Sequence, residues 1–315
     1  MPGANPAVEF VAASDRSRVL RLILAQRDGT PADARQIRRF EAMLHESGAE
    51  WRAAVALDSG QVRGAALVVL QPGDAALVML APATADRIEP AAQAAALTGV
   101  CDAAIAAGAR LMQALPAPDD AATLTLMDGA GFERLTTLRY LERDARFPWL
   151  DAPPANLGTW LTYCDEHHAT FVRALEDSYR ESLDCPELNR ARGAEDALRT
   201  HRAAGRFDPL RWNVLLRDDE PAAVLLLAAL SDGSAAEITY LGVCPAHRRR
   251  GLGEVLVRQA LALTRRAGLA RLVLAVDARN TPASALYSRC GFMQYGERVA
   301  CCRFVTQERG ARVDA

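Results

Sequence analysis

The run Glu237-Ile238-Thr239-Tyr240-Leu241-Gly242-Val243-Cys244-Pro245-Ala246-His247-Arg248-Arg249-Arg250-Gly251-Leu252-Gly253-Glu254 holds the densest concentration of potential chemistry in the chain. It reads as a strand, then a basic loop, then glycines that open a helix. Backbone N–H groups at a helix N-terminus, helped by the positive end of the helix dipole, are ready donors for phosphate oxygens. Gly251 and Gly253 omit the side chains that would block close approach, while Arg248, Arg249 and Arg250 bring charge that can meet phosphates directly. There is no Gly-Lys-Ser/Thr ending of a P-loop and no Gly-x-Gly-x-x-Gly. The expected anion therefore need not be a nucleoside triphosphate or a dinucleotide.

A second stretch, Asp277 to Phe292, contains Asn280, Thr281-Pro282 and Tyr287. Thr281 is a good N-cap with proline at the first helical position, so a short helix is expected from there to about Arg289, with Tyr287 a turn and a half in. Tyr287 is either a core residue with its hydroxyl hydrogen-bonded or a functional phenol. Glu237 is either a solvated strand-edge carboxylate or a half-buried one, whose pKa would rise toward neutrality. His167, His168 and His247 lack partners at metal spacing, so no metal site is expected. Cys244 reads as packing, and His201 has no assigned role.

The elements that must position these residues follow from local pattern. Trp212 to Arg217, Ala222 to Leu230 and Glu237 to Val243 are short apolar runs separated by turn residues, as in an antiparallel meander. A helix is expected over Leu252 to Ala267, stopped by Gly268, followed by a strand over Arg271 to Val276. The first half repeats this order: strands near Ala53 to Leu57, Ala65 to Leu70 and Ala75 to Ala81, then a helix from Pro90 to Ala107 and Gly108. Gly108 recurs as Gly268, and Gly131-Phe132 as Gly291-Phe292, all displaced by 160 residues. The proline-rich stretch Pro148, Pro153, Pro154 separates the halves. The expected division is 1–147, a linker at 148–156, 157–307, and a tail at 308–315.

Composition narrows the function classes. The chain has 315 residues, 50% hydrophobic, with 37 basic and 39 acidic side chains. At ~100 to 200 residues per domain this length favours two domains. The formal charge of −2 provides no global attraction for nucleic acid. No run resembles a signal peptide or membrane span, and seven irregularly spaced cysteines without Cys-x-x-Cys point to reduced thiols and the cytoplasm.

Arg248-x-x-Gly251-x-Gly253 resembles the Gln/Arg-x-x-Gly-x-Gly/Ala signature of the GNAT superfamily of N-acetyltransferases, and Asn280 to Phe292 resembles its second hallmark. The resemblance implies an α+β fold of two GNAT-like domains, each a mixed, mostly antiparallel sheet flanked by helices. It implies acetyl-CoA as co-substrate, without metal. Its pyrophosphate would be held by Arg248, Arg249, Arg250, Gly251, Leu252 and Gly253, its pantetheine arm by the backbone of Leu241, Gly242 and Val243, with Asn280 close by. Tyr287 would be the general acid beside the sulfur and Glu237 the base that accepts the amine's proton.

The displacement of 160 maps Glu237 to Leu77, Gly251 to Ala91, Gly253 to Gln93, Asn280 to Asp120 and Tyr287 to Met127, so the first half reads as degenerate. In plan the chain resembles the mycothiol synthase family of tandem members, without motifs that identify the same substrate. The expected activity is direct acetyl transfer to a primary amine, a small molecule by preference, in a monomer or homodimer. The rivals are a non-catalytic acyl-CoA-binding regulator and a protein or peptide N-acetyltransferase.

Overall fold

The computed structural model describes residues 6–12, 15–26, 28–85, 87–147, 157–191 and 193–305. The expected linker and tail lie outside these residues.

The first half runs β1 (Ala7–Phe10), α1 (Arg16–Ile23), α2 (Ala34–Ser47), β2 (Trp51–Asp58), β3 (Gln61–Gln71), β4 (Ala75–Leu80), α3 (Pro90–Ala106), β5 (Leu111–Ala114), α4 (Ala121–Gly129) and β6 (Glu133–Asp144). The second runs β7 (Thr159–Thr162), α5 (His168–Tyr179), α6 (Pro186–Ala191), α7 (Ala194–Ala203), β8 (Trp212–Arg217), β9 (Glu220–Ala229), β10 (Ala236–Val243), α8 (Leu252–Arg266), β11 (Arg271–Asp277), α9 (Thr281–Arg289) and β12 (Met293–Phe304). The 160-residue repeat is structural. Moving α4 and β6 by that displacement gives the same bounds as α9 and β12.

The repeated glycines end corresponding helices in the same way. Gly108 and Gly268 have φ of 94° and 70°, and Gly131 and Gly291 have 79° and 76°. At Gly268 the N–H reaches the Arg265 carbonyl, and the next N–H, from Leu269, reaches Thr264, a Schellman cap. Gly291-Phe292 closes α9 similarly, on Ser288 and Tyr287.

The two sheets expected from the sequence are one sheet of twelve strands in the order β1-β2-β3-β4-β5-β12-β6-β11-β10-β9-β8-β7. Each half gives its last strand to the other. β6 pairs antiparallel with β11 from Arg271↔Asp144 to Asp277↔Leu138, and β12 pairs with β5 from Cys301↔Ala114 to Phe304↔Leu111. The two exchanged strands then pair with each other. The boundary near residue 150 therefore separates the halves along the chain but not in space. The cores agree: Leu141 and Ala145 are buried with α8 and β9 of the second half, and Cys301 with α3 and β5 of the first.

Helices cover both faces. On one, α3 and α8 pack with α4 and α9. On the other, α1 and α2 cover the first half, and α5 and α7 cover the second around Trp212, whose ring lies 5.3 Å from Tyr163 and 4.8 Å from Phe207. Among the described residues no helix is long and apolar enough to cross a membrane.

Candidate active site

The site begins where two strands part. β10 pairs in parallel with β11 over only three residues, Ala236↔Leu272, Glu237↔Val273 and Ile238↔Leu274. At Thr239 the register against β9 shifts, a bulge that re-aims the strand. From there β10 follows β9 while β11 continues along β6 to Asp277. The result is a wedge open through the sheet. The Cys244 N–H bonds to Ala222 on β9. Alternation along a strand then turns the peptide groups of Leu241 and Val243 into the wedge. An extended ligand with amide groups can pair there as an added strand would.

The wedge opens into a cleft of about 920 Å³ lined by Ile238 to Val243, Leu274 to Val276, the loop before α8, and α9. Its floor is the N-terminus of α8. Gly251 is the N-cap, at φ 80°, with no side-chain cap, and a Cβ there would stand in open space. Among the described residues, no protein acceptor takes the backbone N–H groups of Arg249, Arg250, Gly251, Leu252 or Gly253. Five amides at a helix N-terminus, beside the exposed Arg249 and Arg250, form an anion cradle. Gly253 serves packing, since a Cβ would lie 2.9 Å from Leu286 Cδ2 on α9.

Three expected contacts are corrected. Arg248 does not aim its guanidinium at the cradle. Its Nε donates to the Val243 carbonyl at 3.0 Å, and its terminal nitrogens donate to the carbonyls of Ser178, Arg180 and Glu181 at 3.0, 2.6 and 3.2 Å. A cation that satisfies the last carbonyls of α5 is a C-cap, which also fixes the loop to that helix. Gly242 is needed for α5, because a Cβ would lie 2.6 Å from Ser178 Oγ. Asn280, not Thr281, caps α9: its side chain accepts from the Ala283 N–H at 3.2 Å, with proline second in the helix.

Tyr287 lines the cleft, buried at 6% exposure with its ring 5.6 Å from Phe292. Burial raises its pKa, so the phenol keeps its proton at neutral pH. Glu237, one residue before the wedge opens, is half-buried, and burial pushes its carboxyl up to about 7. It lines a different space, a cavity of about 890 Å³ between the halves, while the next residue of β10, Ile238, lines the cleft. Cys244 is buried with its thiol pushed up to about 11, which suits packing.

Sequence reasoning missed one cluster. Asp277, fully buried at the end of β11, accepts from Thr136 Oγ1 of β6 at 2.6 Å, the Cys185 N–H at 3.1 Å and Arg279. Its own N–H donates to Asp184 at 3.0 Å, and Arg279 forks onto Glu187 at 2.8 and 2.9 Å. Burial pushes Asp184 up. Asp277 is buried too, but its donors prevail and hold it low. The cluster ties the α5–α6 loop to the lip of the cleft.

In the first half the strands part in the same way, but the residues at corresponding places differ. β4 pairs with β5 over three residues, and Leu77↔Gln113 stands where Glu237↔Val273 stands in the second half. Asp120 caps α4 as Asn280 caps α9, and Met127 takes the place of Tyr287. Gln93, at the position of Gly253, is buried and bonds Ala65 through both its carbonyl and amide, each at 2.9 Å. A glutamine side chain thus fills the space next to β3.

A wedge in a mixed sheet, ending in one of the two repeats on an uncapped glycine turn, defines the class: a tandem protein with the acetyltransferase fold. Residues 172–292 match the model of the acetyltransferase (GNAT) family. The chain is similar to a mycothiol acetyltransferase of Beutenbergia cavernae, 40% identical over 89 residues, which are 27% of this chain and 29% of that protein. It is also similar to one of Saccharopolyspora erythraea, 28% identical over 214 residues, 60% of this chain and 69% of that one. The chain thus spans under a third of the first relative's length and about two thirds of the second's. Among solved structures, a GCN5-related N-acetyltransferase from Sphaerobacter thermophilus superposes with a TM-score of 0.60 at 19% identity, over 96% of this chain and 97% of that one. A tandem GNAT protein from the clavulanic acid biosynthesis pathway gives 0.57 at 17%, over 95% and 98%.

Proposed function

We propose that the chain moves an acetyl group from acetyl-CoA to the primary amine of a small molecule, in one direct step carried by the second half. The observation behind this reading is the wedge between β10 and β11, which leads to five open N–H donors and opens just beyond a carboxylate near neutrality. The residues present fit acetyl-CoA. The cradle from Arg249 to Gly253 suits its pyrophosphate, and the inward peptide groups of Leu241, with the N–H of Val243, suit its amide arm. When bound, it supplies an acyl group activated as a thioester.

The chain's own residues do the rest. Tyr287 lines the cleft on its α8–α9 side, and Glu237 faces the cavity one residue before the strands part. Glu237, about half ionised near pH 7, takes the proton that the attacking amine must lose. Tyr287 keeps its proton until a thiolate leaves, and then donates it. Arg248 and the Asp277 cluster hold the walls in place, and positioning of the two substrates supplies much of the acceleration.

A small acceptor is favoured over a protein chain because contacts between the halves bridge the rim of the cavity. Thr200 Oγ1 donates to the Pro72 carbonyl at 3.0 Å, and Arg39 pairs with Asp232. The name mycothiol acetyltransferase, carried by relatives, supports the same reading. All seven cysteines are free, in keeping with the cytoplasm. Calorimetric titration with acetyl-CoA is expected to give one site per chain, and amines are expected to release CoA. Two sites would return the first half to cofactor binding, and no binding would overturn the transferase reading.

A further inference from the structure

The cavity on the Glu237 side has a composition that limits what can occupy it. Its walls include Phe40 and Met43 on α2, Leu70 and Leu77 from β3 and β4, and Leu230 from the second half. Met43 is 38% exposed and lines this space, where its flexible thioether can adapt to an apolar body.

The polar side chains of the wall are largely committed elsewhere. Gln36 accepts from the Asp33 N–H in the cap of α2 at 2.8 Å, and Thr200 bonds the Pro72 and Asp196 carbonyls at 3.0 and 2.9 Å. Arg39 and Asp232 neutralise each other, and Glu50 takes Arg52 at 2.7 Å. Among the described residues, Glu237 is the carboxylate of this wall without an ion-pair partner.

We infer that the cavity admits a primary amine on an apolar body, with its ammonium group directed to Glu237 and its hydrocarbon or aryl portion laid against Phe40, Met43 and Leu77. This rests on the transferase reading and adds the class of acceptor. A body rich in hydroxyls or further amines would give up its water and find few open partners, losing about tenfold in preference for each group left unpaired. The volume, about 890 Å³, is within the range of small-molecule sites.

The test compares 2-phenylethylamine and hexylamine with glucosamine as acceptors, read by CoA release from the full chain. The apolar amines are expected to lead in kcat/KM by about a hundredfold, two unpaired groups at tenfold each. Met43→Glu is expected to lower kcat/KM for 2-phenylethylamine by about tenfold with an unchanged Kd for acetyl-CoA. A preference for glucosamine, or a Met43→Glu variant that handles 2-phenylethylamine as the parent does, overturns the inference and leaves the transferase reading intact. Titration of 2-phenylethylamine into the CoA-saturated chain reads the cavity without turnover. Saturable binding weakened by Met43→Glu upholds it even where no CoA is released, and absence of saturable binding overturns it. Failure of every amine to release CoA counts against the transferase reading alone.

Discussion

Replacing Glu237 by glutamine separates the cost of this carboxylate from its use. Burial raises its pKa to about 7 from an ordinary 4.5, so the folded state holds its proton more tightly than the unfolded chain does. Each unit is worth about 1.4 kcal/mol, which puts the upper bound of the cost of ionised Glu237 at about 3 kcal/mol. Because the group is only half-buried, water reduces this to roughly 1 to 2 kcal/mol. The sign is fixed by the direction of the shift. The carboxyl adds nothing unfavourable below pH 4.5, and its stability relative to Gln is lost as pH rises through about 7.

Glu237→Gln is therefore expected to melt with the parent at pH 5 and several degrees above it at pH 8.5, by differential scanning fluorimetry. Activity should move the opposite way. In the parent, kcat/KM for the amine should rise about tenfold from pH 6 to a plateau above 7, and the variant should lose that limb together with roughly a hundredfold or more in rate. Equal melting differences at both pH values would refute the buried, ionising carboxylate. A variant that keeps the pH limb would refute its role as base.

Tyr287→Phe should lower kcat by roughly a hundredfold with little change in the Kd for acetyl-CoA, because the ring still packs on Phe292 while the donor is gone; unchanged kcat in stopped-flow CoA release would remove Tyr287 from the mechanism. Arg248 and Arg249 should behave oppositely despite being neighbours. Arg248→Ala, which strips four backbone carbonyls of a charged donor, should cost about 3 kcal/mol or more in urea unfolding. Arg249→Ala should leave stability within ~0.5 kcal/mol and instead weaken acetyl-CoA binding, with a shallower dependence on salt. Equal stability losses in the two variants would count against this division of labour.

The parts of the site written in short-range pattern are legible in the sequence. β10, α8 and β11 carry their own start and stop signals, and Gly268 and Gly291 mark the helix ends with the residue that an αL cap requires. The helices α5 and α7 carry weaker signals, since neither has a side-chain cap, and the sequence reading passes over them. The helix start at Asn280 or Thr281 is ambiguous because both residues cap well, and the choice turns on which oxygen reaches Ala283. Arg248 shows a different limit. Next to Gly251 it reads as a phosphate ligand, but its donors are taken by α5, some 70 residues earlier in the chain.

The strand exchange lies deeper still. β6 and β12 occupy equivalent positions in the repeat, so either could complete either sheet with the same register of residues. Nothing in the alternation of their side chains distinguishes the exchanged pairing from the unexchanged one.

That exchange gives the first half a structural part in the site of the second. β11 must leave β10 to open the wedge, which strands one edge of β11 beyond Leu274. Its other edge is held to the very end by β6, up to Asp277↔Leu138, and β6 belongs to the first half. Thr136 on the same strand bonds Asp277, whose backbone and side chain in turn hold Asp184, Cys185 and Arg279 at the lip of the cleft. A strand paired on neither side would expose its N–H and C=O groups and lose its direction. The first half thus supplies the pairing that allows the second half to leave a gap in its own sheet, and on the opposite side it supplies α2 as a wall of the cavity that Glu237 lines. A first repeat with Leu77 and Met127 in place of Glu237 and Tyr287 is consistent with retention of its fold, because its strand is what the second repeat uses.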